Sequence, residues 1–269
     1  MTDDLTRRAL AVNEAQLALA SLAFDTDGAH FVRNPDFPRV HDANHASHVT
    51  AATPDEIDRL LARVEREFAG LAHRVFHTDA TTPPAFEARL ALEGYAPSDT
   101  IVMLLEGPLR FFRGRTPACD IRPAGDEARW AAYAALRLLD GDEYLRRTGR
   151  SPDPAFTAEM TTNRRRMSPP VRVWLAHADG APVGYCSSWE GTEGVGLVED
   201  LFVHPDARRR GIATALLHHC VADARASMPT GDGPVVITAD PTDTPGRIYA
   251  NLGWRPTALK RSWLRIVEP

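Results

Sequence analysis

Glu199-Asp200-Leu201-Phe202-Val203-His204-Pro205-Asp206-Ala207-Arg208-Arg209-Arg210-Gly211-Ile212-Ala213-Thr214-Ala215-Leu216-Leu217 is the stretch around which the rest of the chain is organised. It reads as a buried strand, a tight basic turn and a helix. Downstream, Ile212, Leu216, Cys220 and Ala224 recur at helical spacing, so the helix is expected from Gly211 to about Ser227. The turn places consecutive backbone N–H groups at a helix start, where unpaired amides and the helix dipole favour an anion. A phosphorylated ligand is the first expectation for Arg208 to Thr214.

Around this stretch, strands are expected at Asp120–Arg122, Val171–Ala178, Pro182–Glu190, Gly196–Val203, Val235–Ala239 and Leu259–Ile266. Helices are expected from about Asp126 to Leu139, over Ala155–Arg166 and over Pro245–Leu252, with a polar loop through Asp140–Arg150. The first half reads similarly. A helix over residues 3–23 precedes short strand candidates at Ala29–Arg33 and Arg39–Ala43. Next comes a helix capped by Thr53, Pro54 and Glu56, followed by strand His73–Thr78, helix Pro84–Leu92 and strand Thr100–Leu105.

The halves repeat one another. Ala91-Leu92-Glu93-Gly94-Tyr95-Ala96-Pro97-Ser98 and Ala250-Asn251-Leu252-Gly253-Trp254-Arg255-Pro256-Thr257 share Ala, Gly, aromatic, Pro and hydroxyl positions at an offset of 159 residues. The same offset carries the strand at Val75 onto that at Pro234 and the helix at Pro54 onto that at Gly211, which points to two copies of one fold. The copies differ where chemistry is expected. Opposite Arg208–Ala213 the first half has Val49-Thr50-Ala51-Ala52-Thr53-Pro54, whose cap already occupies the helix amides, and Leu90 stands where the second half has Tyr249.

With these residues assembled, the second half resembles the GNAT N-acetyltransferase superfamily. The resemblance rests on Arg208, Gly211 and Ala213 after a strand ending Val203-His204-Pro205, together with Tyr249 four residues before Gly253-Trp254. It covers about residues 118–269 and, through the repeat, more faintly 1–110. It implies an α/β (α+β) protein of two GNAT-like domains, each a mixed, mostly antiparallel sheet flanked by helices. The domains are expected at 1–110, a degenerate copy without the acetyl-CoA motif, and 118–269, with a linker at 111–117.

The resemblance also implies chemistry: transfer of an acetyl group from acetyl-CoA, as co-substrate, to an amine. Leu201, Phe202 and Val203 would pair with the pantetheine arm where the strand splays from its neighbour. Arg208, Arg209, Arg210, Gly211, Ile212, Ala213 and Thr214 would hold the pyrophosphate. Tyr249 is the expected proton donor to the departing thiolate, and Glu199 the candidate base, directly or through water. The run Glu199-Asp200-Leu201-Phe202-Val203 is similar to that of the spermidine/spermine acetyltransferases, which makes Asp200 a candidate for holding a cationic amine. Adjacent carboxylates alternate on a strand, so only one is expected to face the cleft. By region alone, Trp189 and the loop Asp140–Arg150 are expected to line the acceptor side.

The composition bounds the partners. A net charge of −5 over 269 residues gives no global attraction to nucleic acid or to an anionic membrane, and no apolar run approaches the roughly 20 residues that span a bilayer. Cys119, Cys186 and Cys220 suit neither a disulfide framework nor a zinc site, so a reducing, cytoplasmic setting is expected. His41, His45 and His48 lie beside Asp42 in an irregular segment without the ligand geometry a helix would impose, and no metal is expected there. The expected partner is a small-molecule amine, bound by a monomer or homodimer.

Overall fold

The computed structural model describes residues 2–110, 119–148, 153–242 and 245–267. The expected linker at 111–117 lies outside them. The chain divides into two compact units that interleave along the sequence: Met1–Met103, Thr238–Arg247 and Pro256–Pro269 form one, Leu104–Ile237 and Ile248–Arg255 the other.

In the first unit, α1 (Thr2–Ala18) precedes the antiparallel hairpin of β1 (Leu22–Thr26) and β2 (Ala29–Arg33). The expected strand at Arg39–Ala43 is instead a single 3-10 turn at His41–Ala43, and the strand, β3 (His45–Ser47), follows it. Buried Asn44 causes the shift. Its side chain donates to the carbonyls of Phe37 and Val40 and accepts from the Asn34 N–H, tying the segment into a closed loop. Then come α2 (Pro54–Glu67), β4 (His73–Thr78), α3 (Pro84–Leu92) and β5 (Ala96–Leu105). β3 and β4 are parallel with α2 between them. Ile57, Leu60 and Val64 of α2 join Phe31, Phe68, Phe76, Phe86 and Trp263 in one core.

In the second unit, β6 (Asp120–Pro123) leads to α4 (Glu127–Thr148) and α5 (Pro154–Arg166), then to β7 (Arg172–Ala178), β8 (Ala181–Thr192) and β9 (Val195–Val203). α4 does not stop at Leu139. It continues through the expected loop to Thr148, because the lone Gly141 costs a helix only about 1 kcal/mol and no proline intervenes. α6 (Ile212–Ser227), β10 (Val235–Ala239) and α7 (Pro245–Leu252) follow, with Thr238–Arg247 counted in the first unit, and β9 and β10 are parallel with α6 between them. Trp130, Tyr133 and Leu136 of α4 pack with Val173, Leu175, Tyr185 and Phe202 on one sheet face.

The last strand, β11 (Arg255–Ile266), departs from the expected division at residue 118. From Pro256 onward it belongs to the first unit, where it runs antiparallel to β4 from Arg261↔Thr78 to Ile266↔His73. Trp263 anchors it there, buried in that unit's core and donating to Thr78 Oγ1 at 3.1 Å. Strand order is β1-β2-β3-β4-β11-β5 in the first unit and β10-β9-β8-β7-β6 in the second. Among the described residues no helix is long and apolar enough to cross a membrane.

Candidate functional site

The turn before α6 is built to leave amides open. Gly211 caps the helix in the left-handed region at φ 80°, and no side chain caps it. The first helical hydrogen bond runs from Ala215 N–H to the Gly211 carbonyl, so the amides of Gly211, Ile212, Ala213 and Thr214 precede the helical ladder. Arg209 is also left-handed, at φ 61°, which folds the turn tightly. The arginines differ in what they do. Arg208 donates through Nε to the Val203 carbonyl at 2.9 Å and through Nη1 to Glu143 of α4 at 2.8 Å, so its side chain braces the loop rather than reaching for an anion. Arg210 pairs with Asp179 at 3.2 Å.

β9 is irregular where the site is expected. Its pairing with β8 runs Gly184↔Val203 and Tyr185↔Phe202, shifts, and resumes at Ser187↔Glu199, so Asp200 and Leu201 oppose the single residue Cys186. Asp200 sits at φ 59°, the conformation of a bulge residue. On the other edge, pairing with β10 is confined to Val235↔Gly196 and Val236↔Leu197, which leaves the edge of β9 from Val198 onward outside that ladder.

The bulge overturns the expectation that Glu199 and Asp200 point to opposite faces. An inserted residue resets the two-residue alternation. Glu199, opposite Ser187, lies on the face that carries Tyr185 and Phe202, and Asp200 reaches the helices packed on that same face. Asp200 accepts from Arg164 of α5 at 2.6 Å and from Arg137 of α4 at 3.5 Å. Arg137 also reaches the Tyr185 hydroxyl at 3.4 Å, and that hydroxyl donates to Asp140 at 2.6 Å. Burial pushes the Asp140 carboxyl up, against the opposing effect of the Tyr185 hydrogen bond. Burial also lifts the Tyr133 phenol to about 12. Glu199 and Asp200 both add to the field that keeps the buried Arg164 protonated. The charge on Asp200 is thus matched by two arginines, in place of the cationic amine expected there.

Tyr249 lies on α7, 5% exposed, with its ring 5.9 Å from that of Trp254. The helix ends in a Schellman turn: Trp254 N–H bonds the Tyr249 carbonyl at 3.1 Å and Gly253 N–H bonds that of Ala250 at 3.2 Å, with Gly253 at φ 113°. Trp254 Nε1 donates to the Val235 carbonyl at 3.2 Å, tying this turn to β10. Trp189, opposite Leu197, shares the sheet face of Glu199 one step nearer the β8–β9 turn and is 6% exposed.

The second unit therefore combines an uncapped helix start, a bulged strand with one edge released from its parallel neighbour, and a helical tyrosine before a Gly-aromatic turn. Residues 133–244 match the model of the acetyltransferase (GNAT) family. This segment is similar to a GNAT acetyltransferase domain. Solved structures extend the likeness in fold to the whole chain. A GCN5-related N-acetyltransferase from Kribbella flavida is 18% identical, with a TM-score of 0.67 over 96% of this chain and 94% of that one. One from Sphaerobacter thermophilus is 18% identical, with a TM-score of 0.58 over 100% and 94%. A tandem GNAT protein from the clavulanic acid biosynthesis pathway, solved without acetyl-CoA, is 17% identical, with a TM-score of 0.59 over 84% and 76%. No curated protein sequence matches the chain significantly. The fold is that of a tandem GNAT protein, and the GNAT family is one of acetyltransferases.

Sequence reasoning missed Arg137, Asp140, Arg164 and Tyr185. A signal for part of this group was present, since Tyr133, Arg137 and Asp140 fall at i, i+4 and i+7 on one face of α4. Nothing local links that face to Arg164 or Asp200.

Proposed function

We propose that the GNAT domain transfers the acetyl group of acetyl-CoA to the primary amine of a small molecule. The observation that carries this reading is the pairing of the uncapped α6 start, Gly211 to Thr214, with the β9 edge released after Leu197. Four open amides and a helix dipole suit a pyrophosphate, and the glycine, with no Cβ, lets it approach the backbone. The β9 edge released from β10 at Leu201 to Val203, where Arg208 already occupies the Val203 carbonyl, supplies the remaining backbone partners for the pantetheine arm. When bound, acetyl-CoA supplies the activated thioester.

Acetyl transfer requires a neutral amine to attack the thioester carbonyl. A C–N bond forms, the C–S bond breaks, a proton leaves the amine, and one reaches the sulfur. Glu199 takes the amine proton, directly or through water, and Tyr249 protonates the thiolate. Asp200, fixed by Arg137 and Arg164, positions Glu199 by holding the bulge. Trp189 and the α4 segment that begins at Asp140 bound the acceptor side.

The test mixes the full-length protein with acetyl-CoA and a panel of amines, amino acids, aminoglycosides and peptides, and follows free thiol. Thiol release with a small primary amine, lost in Tyr249→Phe, supports the reading. Tight CoA binding with no turnover across the panel replaces it with that of an acyl-CoA-binding module. Turnover confined to peptides moves the acceptor to a protein N-terminus or lysine.

A further inference from the structure

In the first unit α2, the counterpart of α6, is closed by its own capping box, yet the unit buries a cluster of metal-ligating side chains that the acetyl-transfer reading does not use. Glu14 of α1, His45 of β3 and His77 of β4 are all buried, and one ligand atom from each lies within 4.8 Å of the others. Only His45 belongs to the histidine triplet that stands out in the sequence. Glu14 and His77 come from elements 31 and 63 residues away from their partners in the contacts they make.

The hydrogen-bond chemistry of this cluster asks for more protons than two neutral imidazoles carry. His45 Nδ1 lies 2.9 Å from the Asp42 carbonyl oxygen, and its Nε2 lies 3.1 Å from Glu14 Oε2. His77 Nδ1 lies 3.1 and 3.2 Å from the two Glu14 oxygens, and its Nε2 lies 3.5 Å from Asp42 Oδ1. All four ring nitrogens face acceptors. A neutral imidazole carries one N–H, so satisfying all four with ring protons while Glu14 is ionised requires two imidazolium rings. Those rings are stacked, with centroids 4.2 Å apart in a buried site. Two like charges at that separation oppose each other strongly.

We propose that the first unit binds a divalent transition-metal cation of the zinc and cobalt class through Glu14, His45 Nε2 and His77 Nδ1. A cation there takes the place of the contested protons. It leaves one N–H on each ring, and both have acceptors waiting on a single residue: the Asp42 carbonyl for His45 and the Asp42 carboxylate for His77. Ring N–H groups held by a carbonyl or carboxylate are the usual support of metal-bound histidines. Two imidazoles and one carboxylate suit zinc, cobalt or iron rather than calcium or magnesium.

A second, independent observation points to a ligand. Beside Glu14 and His77 lies a cavity of about 10 Å³, also lined by Ser47, His48, Asp79 and Lys260. Its size suits one water. Ser47, 1% exposed, has its Oγ buried there with no hydrogen-bond partner among the described residues. A water held by Ser47 completes the coordination at the open position. Lys260 Nζ sits 2.9 Å from Glu14 Oε1, a competing cation that leaves Oε2 to the metal.

The test uses the full-length protein, stripped with a chelator, dialysed and titrated with Co²⁺, then displaced with Zn²⁺. One equivalent is expected to bind with the intense visible bands of a low-coordinate cobalt site, to be displaced by zinc, and to raise the melting temperature. His45→Ala and His77→Ala, checked for fold by circular dichroism, are expected to lose the bands. Lys260→Met, which removes the competing cation, is expected to tighten uptake at least tenfold. Because the wild type is measured first, failure of a variant to fold leaves the test intact, and Glu14→Gln serves as a milder replacement. Absence of bands and of any melting shift in the wild type at millimolar cobalt overturns the proposal, as does full binding in both folded histidine variants.

Discussion

At residues 90–95 the chain closes α3 with a Schellman turn, Tyr95 N–H to the Leu90 carbonyl at 3.1 Å and Gly94 N–H to Ala91 at 3.2 Å; at 249–254 it closes α7 with the same two bonds. The helices that follow the parallel strands β3 and β9 begin differently. At α2, the Thr53 side chain accepts from Glu56 N–H, while Glu56 accepts from the backbones of Ala52 at 3.0 Å and Thr53 at 2.9 Å. Those bonds hold the Glu56 carboxyl down at about 2. At α6, Gly211 offers no side chain and the amides stay open. The shared turn serves packing, which both copies need. The helix start is open in one copy, where the proposed function puts a ligand, and is closed by its own cap in the other.

Five changes break or sharpen this contrast. The largest effect is expected from Tyr249→Phe, which removes the hydroxyl that has no counterpart at Leu90; kcat should fall by roughly 10²–10⁴ with little change in KM for acetyl-CoA, measured by thiol release. Asp200→Asn leaves the Arg137 and Arg164 charges short of a buried partner and should cost about 3 kcal/mol in a urea melt. Gly211→Asp imports an acidic cap while remaining tolerable at positive φ, and should weaken CoA binding about 10–100-fold in calorimetry. The smallest effect is expected from Thr53→Ala, about 1 kcal/mol of stability with CoA affinity unchanged. The companion change Glu56→Gln carries a pH signature. Because the native carboxyl titrates below its unfolded value, its stabilising contribution is present above pH ~4.5 and is lost as pH falls towards 2. The difference between wild type and variant should shrink over that window.

Much of the fold was legible in the sequence because its signals are local. Thr53-Pro54 with Glu56 announces a capped helix, Gly94 and Gly253 announce identical helix ends, and Arg208 to Ala213 announces an open one. What escaped was non-local. β11 joins the first unit because Trp263 finds its core beside Phe76 and Phe86, which no property of residues 255–266 reveals. The bulge at Asp200 depends on register against Cys186, and it reversed the expected facing of two adjacent acids. Glu14 lies in the helix expected over residues 3–23, where nothing local marks it as buried. It is 7% exposed because partners from three other segments, His45, His77 and Lys260, meet it inside. The open turn before α6 and the tyrosine ahead of a Gly-aromatic helix end were legible in the sequence, and the Arg137–Arg164 support of the β9 bulge was not.

The contrast between the copies is tested most directly by the stoichiometry of acetyl-CoA binding to the full-length chain, read by calorimetry. One equivalent per chain is predicted, weakened by Gly211→Asp and untouched by Thr53→Ala. Two equivalents, or one that survives Gly211→Asp and responds to Thr53→Ala, would contradict it.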